Sequence, residues 1–362
     1  MRHSIRIGLI GLGQRGLATL TRYAVIEGAE ITALGDLSAE AVENAQQILS
    51  SQGHKRVPGY VGESQWRKLC ESPNVDLVYL CTDWSSHTRM AVFAMQKGKN
   101  VVIEVPAAMS VDECWALVNT TEETQRQCMM LENCCYDVFH LGIMGMVEKG
   151  MFGTITHCEG AYIHDLRHLE SRWRTESTQH HMGNPYPTHG LGPICQLMGI
   201  NHGDRLISLV SMTGLNNINN TLIRTELGRS ILLQFDDHTP RPYSRIQTIC
   251  GTDGYAQKYP QPILQLEGKE PLYNTQAEEF IYSFQNKKIK RIIEEGITLG
   301  VENTMNYTMD RRLIDALLND TPLDMNIYDA VLWSCVTELS AQSVALGNQP
   351  VEIPDFTRGN WH

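Results

Sequence analysis

Through the first third of the chain, short apolar runs alternate with segments whose apolar residues recur at helical spacing. Residues 5–10, 30–34, 75–81, 101–104 and 129–131 have the length and near-continuous apolar character of strands covered on both faces. Between them Ala41, Ala45, Ile48 and Leu49 share one helical face, as do Val111, Cys114, Trp115 and Val118. Ser110, followed three residues later by Glu113, has the spacing of a reciprocal helix cap. Parallel neighbours need a crossover, and the crossover is usually a helix, so this alternation predicts a doubly wound parallel sheet of the Rossmann type.

Beyond about residue 150 the pattern changes. Stretches at 154–163, 206–212, 222–225 and 231–235 read as strands with no helix between most of them, which predicts a mostly antiparallel sheet. Glu226-Leu227-Gly228-Arg229 reads as a hairpin turn, and residues 311–318 and 328–346 as two late helices. The expected division is a dinucleotide-binding domain over residues 1–133 and an α+β domain for substrate and oligomer contacts over residues 134–362. A length of 362 residues suits two cores, since single cores rarely grow beyond about 250 to 300 residues.

Composition narrows the functional classes. With 42% hydrophobic and 20% charged residues the chain is globular in character, and a net charge of -11 argues against a nucleic-acid surface. Ten cysteines with no C-x-x-C pair fit neither a disulfide scaffold nor a zinc module, so free thiols are expected. No apolar stretch approaches the roughly 18 residues of a membrane span, and the opening apolar run reads as a strand rather than a leader. The expectation is a cytoplasmic protein, or an exported one where a signal precedes the sequence given.

Chemistry begins at Gly11-Leu12-Gly13-Gln14-Arg15-Gly16, between the first strand and its helix. Glycines there permit the tight turn, the approach of backbone to a pyrophosphate and close strand-to-helix packing, while the helix N-terminus favours negative charge. Asp36, at the end of the second strand, is placed to accept from ribose hydroxyls, and its charge disfavours a 2′-phosphate; NAD is the expected cofactor. Gln14 and Arg15 lie where they would meet phosphate or adenosine. Ends of the next strands carry Cys81-Thr82-Asp83-Trp84-Ser85-Ser86-His87 and Glu104-Val105-Pro106, positions at which open α/β sheets bind ligands.

Together these segments resemble the glucose-fructose oxidoreductase and inositol dehydrogenase superfamily, whose members usually carry Glu-Lys-Pro where this chain has Val105 between Glu104 and Pro106. Valine cannot move a proton, so either the catalytic duty of that lysine has moved elsewhere or the chain is not a simple dehydrogenase. Met129-Met130-Leu131-Glu132-Asn133-Cys134-Cys135-Tyr136, Gly160-Ala161-Tyr162-Ile163-His164-Asp165-Leu166-Arg167, Arg172-Trp173-Arg174, Tyr186-Pro187-Thr188-His189-Gly190-Leu191-Gly192-Pro193 and Pro240-Arg241-Pro242-Tyr243-Ser244-Arg245 resemble glycoside hydrolase family 109. That family includes NAD-dependent α-N-acetylgalactosaminidases and also has Glu-Val in place of Glu-Lys.

The resemblance implies that Gly11, Gly13, Gln14, Arg15, Asp36, Trp84, Ser85, Ser86, His87, Glu104, Val105 and Asn133 contact NAD. It further implies that Tyr162, Arg174, Tyr186, Pro187, Thr188, His189 and Tyr243 surround a sugar, with Tyr186 close to the nicotinamide as well. Glu132 follows a buried run and must find a partner or help hold sugar or cofactor. The implied reaction is transient oxidation at sugar C3, elimination of the C1 substituent, addition of water and re-reduction. His189 is the main acid/base candidate by intrinsic pKa, with Tyr162 and Tyr186 behind it. A sugar or polyol dehydrogenase is the alternative, and a non-catalytic NAD-binding protein the third reading.

Other readings are bland. His164, His168, His180, His181, His189 and Asp165 lack the spacing of a metal site, and no metal is expected. Arg172 and Arg174 around Trp173 read equally as a solvent-exposed strand edge or as sugar recognition by arginine and an aromatic plane. Exposed sheets in such second domains commonly pair, which suggests a dimer or tetramer.

Overall fold

A computed structural model describes residues 3–167, 172–179 and 181–362. The chain forms two compact units, the first of Met1–Ala108, Asp112–Leu131 and Arg291–Val331, the second of Met109–Val111, Glu132–Lys290 and Leu332–His362. Among the described residues no helix is long and apolar enough to cross a membrane. The ten cysteines are all free.

The chain opens with β1 (Ile5–Ile10), α1 (Gln14–Tyr23), β2 (Ala29–Asp36), α2 (Ala39–Ser51), β3 (Gly59–Val61) and α3 (Trp66–Glu71). It continues through β4 (Leu77–Leu80), α4 (Trp84–Gln96), β5 (Asn100–Ile103), α5 (Val111–Thr124) and β6 (Cys128–Met130). The six strands form one parallel sheet in the order β3-β2-β1-β4-β5-β6, the doubly wound arrangement expected. Leu9, Leu34, Val78, Leu80 and Ile103 are almost fully buried, as strands covered on both faces require. On α2 the buried positions are Val42, Ala45, Gln46 and Leu49, so the inward face is turned slightly from the one expected.

These units differ from the expected division into residues 1–133 and 134–362 chiefly because residues 291–331 return to the first, while residues 109–111 and 132–133 fall in the second. There α11 (Thr304–Asn319), which follows α9 (Asn274–Ser283) and α10 (Lys287–Thr298), lays its buried residues Tyr307, Leu313 and Ile314 inward. Arg22 on α1 donates to Asp310 at 2.8 Å, both side chains buried, and the Tyr23 hydroxyl donates to the same carboxylate at 3.3 Å. A buried pair of this kind is costly to separate.

In the second unit α6 (Val138–Val147) is followed by β7 (Ile155–Ile163), α7 (Arg172–Gln179) and α8 (Thr188–Met198). Strands β8 (Leu206–Thr213), β9 (Asn219–Thr225), β10 (Ser230–Asp236), β11 (Thr248–Gly251), β12 (Gly254–Gln257), β13 (Ile263–Leu266), β14 (Leu272–Tyr273) and β15 (Val351–Glu352) complete its sheet. The order is β14-β13-β12-β11-β7-β10-β9-β8-β15, antiparallel throughout except for the β7–β10 pair. The turn at 226–229 joins β9 to β10, with Thr225 N–H donating to the Arg229 carbonyl. Residues 172–179 form a helix rather than the strand edge read from the Arg172-Trp173-Arg174 alternation. The late helices are α11 and α12 (Ile327–Ala345).

Helix α8 approaches β7 at backbone distance. A Cβ on Gly160 would lie 2.4 Å from the Gly190 carbonyl oxygen, and one on Gly190 would lie 2.7 Å from the Ala161 nitrogen. Only glycine at both positions lets the helix sit this low on the strand.

Candidate active site

In the first unit, the residues expected to hold a dinucleotide gather at the carboxyl ends of β1, β2, β4 and β5. Gly11 has φ +91°, and a Cβ there would lie 2.6 Å from the Cys81 carbonyl group. At Gly16 the added atom would be 1.9 Å from the Gly11 carbonyl oxygen, so turn and helix touch through bare backbone. Gly13, by contrast, is exposed and faces open space, which leaves room for a pyrophosphate over the start of α1. Asp36 accepts from the Leu12 N–H at 2.7 Å and the Ser38 N–H at 2.9 Å. Those bonds fix the carboxylate beside the glycine turn with lone pairs to spare for ribose hydroxyls. These residues fit NAD.

Arg15 is committed to another partner than phosphate. Its Nε donates to Glu104 at 2.7 Å, and the Tyr79 hydroxyl donates to the same carboxylate oxygen at 3.2 Å. Val105 beside it is buried. Trp84 and Ser86 are nearly buried at the start of α4, whereas Ser85 is exposed. His87 is fully buried, with one ring nitrogen 2.8 Å from the Pro106 carbonyl oxygen and the other 3.1 Å from that of Thr82. Its ring therefore braces the segment after β5 rather than reaching a ligand, and burial pushes its pKa down. Gln14 and Arg15 also line a cavity of about 730 Å³ between α1 and the 299–306 segment, which no motif marked.

In the second unit a different set converges. Tyr162, at the end of β7, lies with its ring centroid 4.7 Å from that of Tyr186 and 5.5 Å from that of His189. Arg174 on α7 stands 4.8 Å from the Tyr186 ring centroid and donates to the Tyr162 hydroxyl at 3.4 Å. His189 enters in the first turn of α8, held against β7 by the glycine contact described above. Its Nδ1 lies 2.7 and 2.9 Å from the two Glu132 carboxylate oxygens, and its Nε2 lies 3.5 Å from the Tyr186 hydroxyl. Tyr243 is 42% exposed at the edge of the group.

Several expected contacts take other roles. Glu132 and Thr188 are fully buried and Pro187 is buried, with the Glu132 carboxylate against His189 at the start of α8. Asn133 adjoins Glu132 in this unit. His164, read only as a rejected metal ligand, has its Nδ1 3.2 Å from the Tyr162 hydroxyl and its ring against Tyr243. Its position two residues after Tyr162 at the end of a strand was the available signal. His181 Nδ1 accepts from the Gly183 N–H at 3.1 Å, and His168 and His180 lie outside the described residues, as does the side chain of Arg172.

The electrostatics of the pair decide what His189 does. Burial works against a charged imidazole, but the Cys134 sulfur and the Glu132 carboxylate outweigh it and push His189 up to about 10. Burial likewise opposes a charged Glu132, yet the His189 cation holds that carboxyl below its usual range. At neutral pH the pair is carboxylate and imidazolium. The histidine therefore rests as a proton donor, not as the free base its intrinsic pKa suggests.

Residues 5–132 match the family described as "Oxidoreductase family, NAD-binding Rossmann fold", and the first unit is an NAD-binding Rossmann domain. Residues 136–217 and 214–362 match "Glycosyl hydrolase 109, C-terminal domain". The chain belongs to glycosyl hydrolase family 109. It is 50% identical to "Glycosyl hydrolase family 109 protein 2" of Phocaeicola vulgatus, with 99% of this chain and 95% of that protein covered. It is 47% identical to "Alpha-N-acetylgalactosaminidase" of Bacteroides fragilis, with 99% and 93% covered. Among solved structures, levoglucosan dehydrogenase in complex with NADH and L-sorbose shares the fold, with a TM-score of 0.77 at 16% identity over 98% of this chain and all of that one (100%).

Proposed function

We propose that the chain is a retaining α-N-acetylgalactosaminidase that works through transient oxidation of the sugar at C3. The observation that carries this reading is the Glu132–His189–Tyr186 array beside Tyr162 and Arg174, a set of proton carriers in a chain whose Val105 can carry none. When bound, NAD would supply a reversible acceptor for the hydride on C3, the C3 hydroxyl proton passing to solvent and returning at re-reduction; the resulting ketone acidifies the C2 proton and lets the C1 substituent depart. The chain's own residues manage the protons. Glu132 keeps Nδ1 of His189 protonated, so only Nε2 exchanges with the site. From Nε2 the imidazolium gives a proton to the departing oxygen, and the neutral ring then takes one back from the incoming water. Tyr162, between Arg174 and His164, is the acceptor for the C2 proton, since the guanidinium favours an anionic oxygen there. Arg174, with Tyr186 and Tyr243, orients the sugar.

The test uses a nitrophenyl α-N-acetylgalactosaminide with the NAD-loaded protein. Nitrophenol release without steady NADH accumulation is expected; NADH rising in step with sugar consumption would replace this reading with a net dehydrogenase.

A further inference from the structure

Glu132, Cys134 and His189 each offer a ligand atom, and these three atoms lie within 4.8 Å of one another, a grouping found nowhere else among the described residues. Local geometry builds it. Glu132 caps the short 3-10 turn Asn133–Tyr136 by accepting from the Cys134 N–H at 3.1 Å. His189 then arrives from α8 with Nδ1 against the carboxylate. Glu132 and Cys134 are buried, while the His189 side chain keeps 14% of its surface exposed, an edge by which an ion can enter.

We propose that this trio is an inhibitory site for a soft divalent cation, zinc or cadmium, which replaces the proton between His189 and Glu132 and the thiol proton of Cys134. Carboxylate, imidazole and thiolate with a fourth position left open are the donor set of three-ligand zinc sites. Zinc sits about 2.0 to 2.2 Å from nitrogen or oxygen and about 2.3 Å from sulfur. Tetrahedral neighbours then stand roughly 3.3 Å apart, so the 2.7 Å gap between Nδ1 and the carboxylate has to open by well under 1 Å.

The protons balance. The metal takes the place of the hydrogen on His189 Nδ1 and of any hydrogen on the Cys134 sulfur, and these protons pass to solvent as the cation binds. Binding therefore tightens as pH rises. The consequence for turnover is a locked tautomer. With Nδ1 on the metal, Nε2 keeps its hydrogen as a very weak acid and no longer cycles between donor and acceptor. The cation thus stops proton transfer without displacing NAD. This effect on turnover rests on the function proposed above; the binding itself does not.

The experiment titrates the NAD-loaded protein with cadmium or zinc in chelator-free buffer, using equilibrium dialysis, proton release and the ultraviolet cadmium–thiolate band. Wild type is expected to bind one ion more than about tenfold tighter than Cys134→Ser, Cys134→Ala or Glu132→Gln, each verified as folded by circular dichroism. Nitrophenol release should fall in proportion to occupancy and return with EDTA, while bound NAD stays constant. Equal affinity in wild type and all folded variants would overturn the site. Occupancy of the trio with turnover intact would overturn its inhibitory role. If the glycoside is not cleaved at all, dialysis and the thiolate band still decide the binding.

Discussion

Two buried carboxylates, one in each unit, hold a cation and have a tyrosine close at hand. Glu104 accepts from Arg15 and from the Tyr79 hydroxyl. Glu132 pairs with His189, whose far nitrogen faces the Tyr186 hydroxyl. The partners differ in one property: a guanidinium never gives up its proton in a protein, whereas an imidazolium does. The first arrangement therefore fixes a surface, and under the function proposed above the second would store a proton and hand it on. On that reading the difference also accounts for Val105, since no proton carrier is then needed beside Glu104.

The contrast can be broken by substitution. His189→Ala should lower nitrophenol release by about 10³-fold or more while NAD stays bound, as read by turnover and by dinucleotide content; activity within a few-fold of wild type would remove the histidine from the reaction. Glu132→Gln should lower turnover about 10²-fold and let His189 fall from about 10 towards the ordinary histidine value near 6.5. The variant's pH-rate profile should lose its alkaline plateau accordingly. In wild type the raised His189 contributes stability that is complete below about pH 6.5 and is lost as pH rises through about 10. The depressed Glu132 contributes the same pairing above its unfolded range and loses it as pH falls through its folded value. Chemical denaturation should therefore separate wild type from Glu132→Gln most widely near pH 6, by about 3 kcal/mol, and bring them together above pH 10.

Glu104→Gln should behave otherwise. Retention of NAD is expected to weaken about tenfold, measured by dinucleotide loss on gel filtration, with the pH profile unmoved because Arg15 does not titrate. A shifted profile would dissolve the distinction between the two carboxylates. Tyr243→Phe is the smallest change. The side chain is partly exposed, and an increase of a few-fold in KM with kcat intact is expected.

Much of this was legible in the chain. Strands β1, β2, β4, β5 and β6 stand out because a sheet covered on both faces leaves continuous apolar runs, and the glycine turn with Asp36 marks itself by motif. Strands β11 to β14 did not, being two to four residues long with half-exposed positions that carry no clear alternation. The Arg172-Trp173-Arg174 run misled because three residues cannot distinguish a strand from a helix turn. Both members of the Glu132–His189 pair were singled out, but their bond spans 57 residues of chain, and nothing local to either announces it. The ionisation of His189 follows from the nearby Cys134 sulfur together with that bond, both distant in the chain, so its resting state was hidden for the same reason.

Because Gly160 and Gly190 bring α8 and β7 together main chain to main chain, the histidine's address is written in the scaffold and not in the packing of interchangeable side chains. Under the function proposed above, the loop bearing Tyr243 could be exchanged without moving His189, and an engineer seeking new specificity would begin at that loop and leave the two glycines alone.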